Sequence, residues 1–165
     1  MRRPFRLSRA FSLIELVLVV VIIGVIGAIA IPRFAAAGEH ASEVALKQNL
    51  AILANAVELY KAEHEGLVPT TRHHLLGYTD IAGDAQATPD ATHVYGPYLH
   101  KMPVLPMGTN KGRDDLASSG NPGDSATAGW WIDDTTGDVR ANAPDSDVTT
   151  DGVKINTIVG GLVKG

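Results

Sequence analysis

Phe11 to Ile31 reads FSLIELVLVVVIIGVIGAIAI, an almost unbroken apolar run that contains a single carboxylate, Glu15. Arg2, Arg3, Arg6 and Arg9 precede it with no acid among them, and Pro32–Arg33 follows it. Twenty residues of helix span about 30 Å, the thickness of a bilayer's hydrocarbon core. An acid inside such a segment costs about 2.5–3.5 kcal/mol at a helix centre, which marks it as a candidate functional group. The arginines lie on the N-terminal side of the run, so the positive-inside rule predicts a cytoplasmic N-terminus and a C-terminal body outside.

Outward from this segment, composition narrows the class. Hydrophobic residues make up 45% of the 165-residue chain but aromatics only 5%, room for one modest domain beside a membrane helix. The formal net charge is −4, and all 18 acidic residues lie beyond the arginine-rich leader. An acidic body argues against nucleic-acid binding, which needs a basic footprint. There is no cysteine, so the body holds together by packing or a bound cation rather than by disulfides. A secretory signal would have a shorter apolar region ending at a cleavage site, and Arg2–Arg3 only superficially suggests a twin-arginine signal. A plain anchor fits the length but leaves Glu15 unexplained.

The stretch RAFSLIELVLVVVIIGVIGAIAIPRF resembles the N-terminal segment of type IV pilins and type II secretion pseudopilins. That resemblance implies cleavage by a prepilin peptidase between Ala10 and Phe11 and N-methylation of Phe11, making Glu15 the fifth residue. The family usually has Gly before the cut, where this chain has Ala10. A charged amine at Phe11 and the Glu15 carboxylate lie about one helical turn apart. In a staggered stack of parallel helices, the acid of one subunit can approach the amine of its neighbour, and a paired buried charge costs far less than an unpaired one. Gly24, Gly27, Ala28 and Ala30 form a small-residue patch that lets helices approach closely, and the resemblance implies partial unwinding between Gly24 and Pro32 in a filament. Pro32 removes a backbone donor and predicts a bend.

Beyond Pro32, Leu46, Leu50, Leu53, Val57 and Tyr60 form a stripe at helical period, with Glu39, Glu43, Lys47, Lys61 and Glu63 expected to face water and Glu43–Lys47 to pair. Gly66 and Pro69 are stop signals. The last 100 residues hold 14 Gly and 7 Pro, which predicts short strands and irregular loops. Trp130–Ile132 and Val139–Asn142 read as a hairpin around Asp133–Asp138, with one Trp ring facing inward and one outward. Val153, Ile155, Thr157 and Val159 alternate as a third strand. His93–Pro106 reads as a loop over the helix, anchored by Tyr95, Tyr98, Leu99 and Met102, and Thr109–Ala128 as a mobile loop. Tyr60–Gly66–Pro69, Gly96–Pro106 and Gly129–Gly137 are similar to the head of the major pseudopilin of type II secretion, and the lack of cysteines is unlike a typical major type IV pilin.

The expected fold is therefore α+β: a long N-terminal helix, membrane-spanning in its first half, packed against a small antiparallel sheet with irregular loops. The expected parts are a leader over 1–10, a span over 11–32, an amphipathic helix over 33–65 and a head over 66–165. The resemblance implies a non-enzymatic filament subunit that partners with copies of itself, prepilin peptidase, other pseudopilins, an inner-membrane platform and membrane lipid, with type IV pilin or minor pilin as the alternative. A tethered protein that never polymerises is a third reading. The resemblance implies a head-loop Ca²⁺, but its liganding sequence is not recognisable; Asp133, Asp134 and Asp138 are weak candidates, a solvated acidic surface fits better, and no cofactor is expected. The histidines lack zinc spacing, and no nucleophile elbow, phosphate loop or dinucleotide fingerprint occurs.

Overall fold

The computed structural model describes residues 11–160, and it divides into two compact units, one ending at Gly38 and the other starting at Glu39. The architecture is α+β. Helix α1 (Leu13–Glu63) is the regular structure of the first unit and opens the second. It remains α-helical through Pro32 and Gly38. Pro32 leaves the Ala28 carbonyl without its helical partner, and an interior proline costs about 3 kcal/mol of helix propensity. In the first unit residues 11–26 are exposed throughout.

In the second unit the predicted stripe is the core. Leu46, Leu50, Leu53, Val57 and Tyr60 are at most 1% exposed and share one cluster with Leu75, Met102, Leu105, Trp130, Ile132, Val139 and Ile155. The helix ends where left-handed backbone begins: Glu65 has φ 55° and Gly66 φ 90°, and the Gly66 N–H caps the Lys61 carbonyl at 2.9 Å. Only glycine adopts that conformation at little steric cost, which is why the stop falls there.

A short helix, α2 (Arg72–Leu76), leads into β1 (Tyr78–Thr79), which pairs antiparallel with β2 (Ala85–Gln86). The second sheet has the order β3 (Leu116–Ala117), β4 (Trp130–Ile132), β5 (Val139–Ala141). β4 and β5 form the predicted antiparallel hairpin, with Trp131 opposite Arg140. Trp130 is fully buried and its indole N–H donates to the Pro103 carbonyl at 2.7 Å; Trp131 is half-buried under the Arg140 guanidinium, 5.9 Å from the ring centroid.

Three expectations are corrected. The third strand is β3, parallel to β4 and inside the stretch read as a mobile loop, with Leu116 opposite Trp130. Val153–Val159 is not a strand: it folds as a 3₁₀ turn at Ile155–Thr157, with only isolated bridges at Lys154 and Val159. Its alternation fails because Ile155 alone enters the core while Val153 and Val159 stay exposed. Glu43 does not face water. It is buried at 5% exposure, and its Oε1 accepts the Thr150 N–H, tying the 148–154 loop to α1. Glu63 likewise accepts the Tyr98 hydroxyl at 2.6 Å, which fastens the His93–Pro106 loop to the helix end.

Candidate functional site

The most unusual surface lies on the first unit. Phe11, Leu13 and Ile14 are 74–79% exposed, and every Leu, Val and Ile from Leu16 to Ile31 is at least 45% exposed. Among the described residues this helix is the one long and apolar enough to cross a membrane. So large a continuous apolar surface on a soluble chain would drive aggregation, so it has a cover of lipid or protein.

Within it, Glu15 has a local role that its isolation in the sequence hides. Its Oε2 accepts the Ser12 N–H at 2.9 Å, while the Glu15 and Leu16 amides donate to the Ser12 carbonyl at 3.1 and 3.2 Å. Ser12 is thus the N-cap and Glu15 the third helical residue, half of a capping box. The signal was present in the sequence as Ser-x-x-Glu before an apolar run, and reading Glu15 only as an intermolecular charge overlooks it. One carboxylate oxygen serves the cap and the other, Oε1, is left to accept from a second group. Phe11 lies immediately before the cap, so a cut there would put a new amine within a residue of Glu15's partner. Ala10, the other predicted processing residue, lies outside the described residues.

Gly24 and Gly27 would admit a Cβ without meeting any atom within 4 Å. Nothing among the described residues requires them to be small. Small residues on a lipid-grade helix permit close backbone approach by another helix, so their surface is available to a neighbour. Pro32 lies in the same helix, eight residues past Gly24.

The comparisons with known proteins agree with this geometry. The type II secretion system core protein G of Pseudomonas aeruginosa is 31% identical over 127 residues, covering 72% of this chain and 87% of that protein. The chain belongs to the major pseudopilin family of type II secretion. The namesake proteins of Escherichia coli (strain K12) and Klebsiella pneumoniae are each 28% identical, over 130 and 104 residues, covering 73% and 62% of this chain and 86% and 71% of theirs. No protein-family profile matches the chain, and no solved structure matches it.

Among the described residues of this pseudopilin's head, the candidate aspartates are engaged by other partners rather than arranged as the six to eight converging oxygens a Ca²⁺ ion needs. Asp133 Oδ1 accepts the Thr135 and Thr136 N–H groups, each at 2.9 Å, as a turn cap, and these bonds lower its pKa. Asp134 meets the Thr135 hydroxyl at 3.3 Å, and Asp138 lies 4.0 Å from the Arg140 guanidinium. Asp145 is held by the Lys154 ammonium at 2.6 Å, which with Asn156 lowers its pKa. Among the described residues no three His, Asp or Glu side chains converge as a metal site. The loops are stitched by buried amides instead. Asn142 donates to the Ser125 and Ala128 carbonyls at 2.8 and 2.7 Å and accepts the Gly123 N–H at 2.6 Å, while Asn110 donates to the Asn142 carbonyl at 2.6 Å. These asparagines escape sequence reading because Asn in a Gly-rich stretch reads first as a turn residue.

Proposed function

We propose that the chain is a non-enzymatic filament subunit: made as a membrane precursor, cut between Ala10 and Phe11 by a prepilin-type peptidase, N-methylated at Phe11, and assembled with copies of itself and other pseudopilins on an inner-membrane platform. The head lies outside the cytoplasm, and the growing filament acts as a piston or plug in protein export. The observation that carries this reading is Glu15, the lone carboxylate of the apolar Phe11–Ile31 segment, whose residues 11–26 are exposed throughout.

Physical chemistry supplies the mechanism. In lipid the apolar side chains of α1 are already satisfied, so burying them against other helices gains little; packing at Gly24 and Gly27 and a specific polar contact must favour the filament. The Phe11 amine of one subunit and the free Glu15 oxygen of the next provide that contact, and a like pair at each step sets the stagger. Pro32 leaves one carbonyl of α1 unbonded, a point at which the helix can lengthen when packed.

N-terminal sequencing of the protein recovered from sheared filaments tests it. The expected first residue is N-methylated Phe11, and Glu15→Leu is expected to leave the subunit in the membrane while abolishing filaments. Recovery of intact Met1, or normal filaments from Glu15→Leu, overturns the proposal.

A further inference from the structure

The soluble part of α1 has a second stripe, on the side away from the core. Ala41, Val44, Ile52, Leu59 and Ala62, with Gln48 and Asn55 between them, recur at a mean spacing of 3.5 residues from Ala41 to Ala62. All are exposed, Val44, Ile52 and Leu59 by 42, 48 and 52%. None is charged; the exposed Lys47 and Glu58 flank the stripe rather than interrupt it. The outer face of a surface helix ordinarily carries charge, and a 3.5-residue apolar repeat is the seam of a left-handed helix pair.

The two amides say what covers the seam. Gln48 and Asn55 are seven residues apart, hence at the same position of successive heptads. Neither amide bonds to another group among the described residues. An amide both donates and accepts, so each is able to pair with its own copy in a second chain. A polar residue at such a position is a known way to fix register and helix number. A neutral stripe also meets itself without repulsion.

We propose that the Ala41–Ala62 face pairs two copies of this chain in parallel and in register, Gln48 against Gln48 and Asn55 against Asn55, while both sit in the membrane. This rests on the membrane-anchored reading above. An antiparallel pair would bring Gln48 opposite Asn55, but copies headed by the same arginine-rich leader enter a bilayer in the same direction. The pair is a resting state distinct from the staggered filament, and it keeps the outer face of the helix covered until subunits are taken up.

The absence of native cysteine makes the test direct. Full-length Gln48→Cys, Asn55→Cys and, as a control on an exposed head loop, Ala126→Cys are oxidised in membrane vesicles. A disulfide needs Cα atoms about 4.4–6.8 Å apart, so the expected result is dimer from each of the two seam variants at least about tenfold faster than from Ala126→Cys. When Gln48→Cys and Asn55→Cys chains carrying different-sized tags share one vesicle, mixed dimers are expected to be the minority. Equal rates for seam and control, or a predominance of the mixed Gln48–Asn55 bond, overturns the proposal. Adding Ile52→Glu to Asn55→Cys is expected to cut the cross-linking rate at least about tenfold, and an unchanged rate also overturns it. The Glu15→Leu filament assay reads the assembly proposal separately: loss of cross-linking with filaments intact refutes only the seam, and normal filaments from Glu15→Leu with cross-linking intact refute only assembly.

Discussion

Asn142→Ala is the sharpest probe of what holds the head together. The side chain is fully buried and makes three hydrogen bonds: to the Ser125 and Ala128 carbonyls, and from the Gly123 N–H. Alanine leaves the Ala128 carbonyl and the Gly123 N–H without those partners, and the Ser125 carbonyl with only its 3.2 Å bond from Asn110. Each buried polar group so stripped costs about 1–3 kcal/mol. Ser125 and Gly123 are half-buried and can recover part of the loss from water, so the low end applies and the total is about 3 kcal/mol. In a head of this size about 1 kcal/mol moves the melting temperature by roughly 3–4 °C, giving a fall of about 10 °C. Both tryptophans lie in β4, so intrinsic fluorescence of the full-length chain in detergent reads this unit. Asn142→Asp keeps the acceptor for Gly123 but turns a carboxylate toward two carbonyl oxygens, and it is expected to be worse than alanine at neutral pH. A fall of less than about 2 °C for Asn142→Ala would show that the amide network is incidental and refute the reasoning.

Three further outcomes follow from the same structure. A Cβ on Gly129 would lie 2.2 Å from the Arg113 carbonyl oxygen, so Gly129→Ala should detach β3, cost about 2–3 kcal/mol and speed amide exchange at Leu116. Tyr98→Phe removes the bond to Glu63 and should cost about 1 kcal/mol in a thermal melt, without moving the fluorescence maximum of Trp130. Acid should weaken the head in two steps. Burial, with His64 and His73 nearby, holds the His74 pKa below its ordinary 6.5, so the stability it contributes is present above that pH and is lost as pH falls through the lower folded value. Hydrogen bonds from the Thr150 hydroxyl and N–H hold Glu43 below its ordinary 4.5, and its share is lost in turn at still lower pH. Melts across this range should show both steps, with the second absent in Glu43→Gln.

What could be read from the chain was whatever rests on repetition. The Leu46–Tyr60 stripe and the Trp130–Ile132 hairpin announce themselves because several side chains repeat one orientation. Features resting on a single residue did not. β3 has two residues, and only Leu116 distinguishes it from the Ser, Gly and Asp around it; what creates the pairing is the missing side chain of Gly129, 13 positions away. Glu43 falls in phase with Leu46, Leu50 and Leu53, so its burial was present in the periodicity, but its charge suggested water. The alternation from Val153 to Val159 misled because Ile155 alone of its members enters the core, and the chain turns there as a 3₁₀ turn instead of extending. At the candidate site, Glu15 stood out by its charge, while its bond to Ser12 is a local capping signal of the kind isolation obscures.

Under the proposed assembly, the Ser12–Glu15 bond changes what kind of event polymerisation is. A carboxylate already holding its own helix end is not a naked charge waiting in oil; it is docked, with half its capacity in reserve. Joining a fibre then trades lipid for a neighbour around an anion that was never left bare. Leaving the fibre returns the subunit to a self-sufficient end. In the proposed filament such an exchange is shallow in both directions, as the proposed piston requires.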